Sequence, residues 1–214
     1  MIAIGAMFSA LEVVPLAMIG VEAYRNYQSS KAAPWVQAYK WSILCFIAVG
    51  FWNVFGAGLL GFSINTPIAL YYMQGLNLTA AHGRAALFGV YGMLGIGLLL
   101  FFLRGLSERA AWSDKLLAPM FWSLNIGLAM MVFISLVPAG IYQAWASVTK
   151  GMWFARSPEI VHSHLMETLV WLRVPGDVVF AFGTLFLTLF ALRLLTAGKR
   201  KQPLLVPVTQ ADRA

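Results

Sequence analysis

Residues 78–103, LTAAHGRAALFGVYGMLGIGLLLFFL, set a histidine, His82, and an arginine, Arg84, at the head of an otherwise apolar run. About 20 apolar residues cross a ~30 Å hydrocarbon core, so the stretch reads as a membrane-spanning helix. Its polar head needs a reason, because a charged residue at the centre of a span costs ~2.5–3.5 kcal/mol on insertion scales.

The same length rule, applied outward, predicts an all-α integral membrane protein of five transmembrane helices: Ile2 to Ala23, Tyr39 to Phe62, Leu78 to Leu103, Lys115 to Val148 and Val174 to Leu195. Composition agrees, since 60% hydrophobic residues, 11% charged residues and a mean hydropathy of +0.76 exclude a chain that stays in water alone. The first apolar run continues for a full span with no small-residue cleavage site behind a basic leader, and is expected to remain in the bilayer. Between the second and third helices, SINTPIALYYMQGLN (63–77) is too short to cross. Its proline, glycine and asparagines predict an interfacial or re-entrant segment. With no internal repeat, residues 1–198 form one transmembrane domain and 199–214 a polar cytoplasmic tail.

Basic residues in short loops are retained on the cytoplasmic side. Arg25, Lys31 and Lys40, then Arg104, Arg109 and Lys115, then Arg193, Lys199, Arg200 and Lys201 occupy alternate connections. They predict an outer N-terminus and a cytoplasmic C-terminus, with 63–78 and 149–173 on the outer face; Lys150, Arg156 and Arg173 run against this in the second outer segment. The net charge of +7 is met by anionic headgroups of membrane lipids and calls for no nucleic acid. Trp35, Trp41, Tyr71, Tyr72, Trp112, Trp153 and Trp171 fall near predicted helix ends, where amphipathic rings belong.

Few side chains inside the spans carry chemistry. Glu12 lies mid-span, three residues before Pro15, and reads either as a protonated carboxyl bonded between helices or as a proton donor lining a buried chamber. His82 reads either as a satisfied helix-end donor or as a metal ligand. His162 and His164, two apart, cannot share a helical face and read as rim residues. The lone cysteine, Cys45, excludes an intrachain disulfide and reads as small core filler. Glycines at 56, 58 and 61 and at 89, 92, 95 and 97 allow close helix approach or leave room for a flat cofactor.

The stretch FWNVFGAGLLGFSINTPIALYYMQGLNLTAAHGRAALFGVYGMLGIGLLLFFLRGL, with FSALEVVPL before it and WLRVPGDVVFAFG after it, resembles the C-terminal part of bacterial nitric oxide reductase. The likeness is to the single-chain, quinol-oxidising type within the haem-copper oxidase superfamily, and it extends from Ile4 to about Leu195. It implies the last helices of a subunit I-like bundle. In that family the third helix here opens on His-Gly-His, one imidazole serving the high-spin haem of the reaction centre and the other the low-spin haem. Residues i and i+2 point about 200° apart, so one helix can stand between two macrocycles. The resemblance thus assigns His82 as proximal ligand of a high-spin haem b. Arg84 replaces the second ligand, and a guanidinium has no lone pair to offer iron, which puts the low-spin haem b in doubt. Glu12 matches a family glutamate near the non-haem iron, implied to help deliver protons.

The resemblance places the ligands of the non-haem iron, the other low-spin ligand and the hydrophilic outer domain before Met1. It implies a fragment or split subunit of a respiratory reductase that converts two nitric oxide molecules, with two electrons and two protons, to nitrous oxide and water in the bacterial inner membrane. Quinol is the implied donor and the missing N-terminal portion of the enzyme the implied partner; the isolated chain is expected to be inactive. Two alternatives stand beside it. One is a degenerate, non-catalytic membrane protein that keeps only the helical packing. The other is a small channel or transporter built on Asn53, Asn125 and Gln143, without the inverted repeat such proteins show.

Overall fold

Backbone N–H and C=O groups in hydrocarbon have no water to turn to, so an apolar chain satisfies them within each segment by forming helices. The computed structural model describes residues 2–107 and 112–197; Arg109 and the tail expected over 199–214 lie outside the described residues. Five helices are long and apolar enough to cross a membrane, and the protein is a multi-pass membrane protein: Ala3–Ser30, Lys40–Asn65, Asn77–Leu106, Asp114–Lys150 and His164–Thr196, here the first to fifth spans. The first helical run continues seven residues beyond the predicted Ala23. The fifth begins ten residues before the predicted Val174, with a turn at Leu172 and Arg173 between His164–Trp171 and Val174–Ala197. Both extensions are amphipathic or polar at their ends, where length and hydropathy mark the membrane boundary and not the helix end.

The fourth span is the axis of the bundle. Half of its most apolar stretch, 50%, is buried against protein, compared with 7% for the first span and 11% for the fifth. Glycines bring the backbones together: a Cβ on Gly127 would lie 2.5 Å from the Phe180 nitrogen, and one on Gly183 would lie 2.7 Å from Leu124 Cγ. Small residues at such crossings let van der Waals contact replace the hydrophobic drive that lipid removes. In the second and third spans, Gly89 accepts the Trp52 ring and Gly97 accepts Phe46 and Cys45, so these glycines serve close packing. Cys45 is fully buried, as core filler should be.

Polar residues tie spans together. Asn125 Oδ1 accepts from Trp52 Nε1 at 3.0 Å, and Asn125 Nδ2 donates to the Phe121 carbonyl at 2.8 Å. Gln143 Oε1 accepts from both the backbone N–H and Nδ2 of Asn77, each at 3.0 Å. Two of the three residues that suggested a channel are thus engaged in interhelical bonds. Trp41, expected at the headgroups, is buried and donates to Asp114 Oδ1 at 2.8 Å, whereas Trp35, Trp153 and Trp171 are exposed.

The predicted interfacial stretch forms a short helix, Pro67–Met73, started by a proline whose missing N–H costs nothing there. Gly75 turns the chain into the third span with φ +73°, a left-handed backbone open to glycine. Three spans widen to π-helical turns at Asn53–Leu59, Ala85–Gly92 and Met130–Leu136. Such turns shift the register of side chains along a helix and recur at functional sites.

Candidate functional site

The third span begins α-helical over Asn77–Arg84 and becomes π-helical at Ala85, directly after His82 and Arg84. Its π turn packs against the π turn of the second span. At that crossing His82 Nδ1 lies 2.8 Å from the Gly56 carbonyl oxygen. A carbonyl only accepts, so Nδ1 carries the proton and the Nε2 lone pair is left free. Nε2 has no hydrogen-bond partner among the described residues. A ring held by one N–H and offering the other nitrogen is the arrangement that metal-bound histidines use.

Space around the ring is set by what the second span lacks. A Cβ on Gly61 would stand 3.0 Å from His82 Cε1, and one on Gly56 would stand 2.4 Å from the Ala85 Cβ. His82 is half-buried and borders a cavity of about 310 Å³ whose wall includes Asn53, Gly61, Phe62, Asn65 and Tyr91. A free ring nitrogen beside a cavity is the donor that a haem iron would take, and Gly61 leaves the imidazole its room.

Arg84 faces elsewhere. Its Nη1 lies 3.4 Å from Met131 Sδ on the fourth span and 3.7 Å from Asp177 Oδ1 on the fifth. Asp177 Oδ2 in turn accepts from Arg173 Nε at 2.9 Å. A separate cavity of about 220 Å³ lies here, bordered by Arg84, Phe88, Leu128, Met131, Asp177 and Phe180. The two residues of the HGR motif therefore address different sides of their helix, as a two-residue offset requires.

Glu12 lies within the helix Ile2–Ser30, but its side chain lies outside the described residues. His162 and His164 sit far along the chain near the start of the fifth span, with His162 Nδ1 4.0 Å from Glu167 on an exposed surface. Among the described residues no group of three histidine, cysteine, aspartate or glutamate side chains could hold a metal ion, so the residues present do not fit a non-haem iron. Sequence reasoning placed Gly56 and Gly61 only among the small residues of their helix, and it passed over Asp177. The two glycines act through a carbonyl and an absent side chain and leave no chemical signature. Asp177 did leave one, since an acid inside a predicted span should be matched to a base.

Five bundled spans and a half-buried imidazole with a free nitrogen beside a cavity define a helical membrane protein with a candidate ligand for a prosthetic group. The model for Cytochrome C and Quinol oxidase polypeptide I matches residues 1–179, and the chain belongs to that family, whose members bind haem. A nitric oxide reductase subunit of Stutzerimonas stutzeri is similar, at 29% identity over 190 residues, covering 84% of this chain. The chain spans 38% of the length of that relative.

Proposed function

We propose that this chain is the haem-bearing helical part, as a fragment or split subunit, of a quinol-dependent nitric oxide reductase in a bacterial inner membrane. The observation that carries the reading is the Nδ1–H bond from His82 to the Gly56 carbonyl, which fixes the tautomer with Nε2 free. When bound, a high-spin haem b supplies an iron that takes nitric oxide and accepts electrons. His82 would hold it, and the Gly56 carbonyl would orient the ring. Gly61 keeps the ring's flank clear. Glu12 would pass protons toward the site from the first span. The remaining metal ligands would come from helices equivalent to the rest of the relative's length, and turnover would require them.

The test is an absorption spectrum of the purified chain with haem supplied, beside His82→Ala. A Soret band present in the wild type and lost in the variant supports the reading. Equal spectra, or no band in either, sink it. In an assembly with the remaining helices, Glu12→Gln should slow nitrous oxide production about 10²-fold, within the usual range for a proton-transfer group. Undiminished production removes Glu12 from the reaction. A second reading, a non-catalytic bundle, is favoured by the engagement of Arg84 with Asp177; it predicts no nitrous oxide from any such assembly.

A further inference from the structure

We infer that Arg84 and Asp177 form an ion pair across the third and fifth spans that takes the place of a second axial imidazole, so that this side of the helix holds a charge tie and no macrocycle. The haem-count part of this inference rests on the His82 reading; the ion pair itself does not.

The residues here do not fit a second haem. The group that projects is a guanidinium, permanently protonated and without a lone pair. It is already engaged, with Met131 Sδ at 3.4 Å and Asp177 at 3.7 Å. Phe88 and Phe180, which border the same space, meet edge to face with ring centroids 5.4 Å apart.

The charges are arranged as a tie. Asp177 stands in the first turn of Val174–Ala197, where a helix dipole favours an anion, and each of its oxygens faces a different arginine. Arg173 is local, one turn back on the same segment; Arg84 reaches from another span. Arg84 and Asp177 are 35% and 40% exposed, and both lie within helices long and apolar enough to cross a membrane, where a lone charge is expensive. Each therefore lowers the cost of the other. A helix that gave up its second imidazole without a partner acid would carry an uncompensated charge in the span, whereas this one gains a cross-span contact.

A double-mutant cycle on thermal unfolding of the full chain in lipid nanodiscs tests the pair, using Arg84→Met, Asp177→Asn and both together. Coupling is expected: each single change lowers the midpoint by roughly 2–4 °C or more, and the double falls no further than the worse single. Strictly additive shifts overturn the pair. A haem-to-chain ratio by pyridine haemochrome assay, with an electron paramagnetic resonance spectrum, tests the other half. At most one haem and no low-spin signal are expected, and two haems per chain overturn the inference. No haem at all would overturn the His82 reading instead, with the mutant cycle still deciding the pair.

Discussion

The two sides of the third span, two residues apart in sequence, solve the problem of a polar group in a membrane in opposite ways. On one, His82 is held by a carbonyl through one nitrogen and keeps the other free beside a cavity of about 310 Å³. On the other, Arg84 commits its charge to Asp177 beside a smaller space. A neutral imidazole can be left half-satisfied at little cost and so remain available to a ligand; a guanidinium cannot, and becomes structure.

The contrast breaks most visibly if the two sides respond alike to truncation. His82→Ala should abolish haem binding, more than tenfold in occupancy at fixed haem, while Arg84→Ala keeps it; a matched loss by titration would show that both sides serve one ligand. Next in size, Gly61→Leu should drive the His82 ring from its seat, since even a Cβ would stand 3.0 Å from Cε1. Overpacking of this kind costs ~1–3 kcal/mol. Haem occupancy should fall about tenfold with helicity by circular dichroism unchanged, and full occupancy would mean that the ring has room to move.

Gln143→Leu should act on both sides equally, because it removes the acceptor for two donors of Asn77 at the head of the third span. A loss of ~1–3 kcal/mol is expected from the stranded donors, read as a lower unfolding midpoint with haem affinity reduced only through stability. A selective loss of haem would place this tie within the His82 side. Smallest is Met131→Leu, a near-isosteric change that removes the sulfur beside Arg84. It should cost less than about 1.5 kcal/mol and leave the haem spectrum unaltered; a spectral shift would connect sides that are otherwise separate.

The spans were legible because membrane thickness converts directly into a run of apolar residues, and all five predicted segments fall within or across the observed ones. Helix ends were less legible. Ser30 and His164 lie beyond what hydropathy marks, since a helix can run into the headgroups with polar residues on it. The π-helical turns had no counterpart in the sequence reading, because a widened turn is fixed by what the helix packs against, as at Gly56 against Ala85. The opposition of His82 and Arg84 followed from helical geometry alone. Their partners did not: one is a backbone carbonyl 26 positions away, the other an acid 93 positions away whose pairing depends on how the fifth span docks.

The central place of the fourth span also dictates when this molecule becomes itself. Ribosomes add about 5–20 residues per second, so the segment that ends at Asn65 waits on the order of ten seconds before the one that ends at Lys150 is complete. During that interval the early helices sit in lipid without the fourth, and Trp52 has yet to meet Asn125. Arg84 waits longer still, until Asp177 is translated. A slow or failed insertion of the last segment would thus leave a lone cation in the bilayer, a natural mark by which membrane quality control could recognise an unfinished chain.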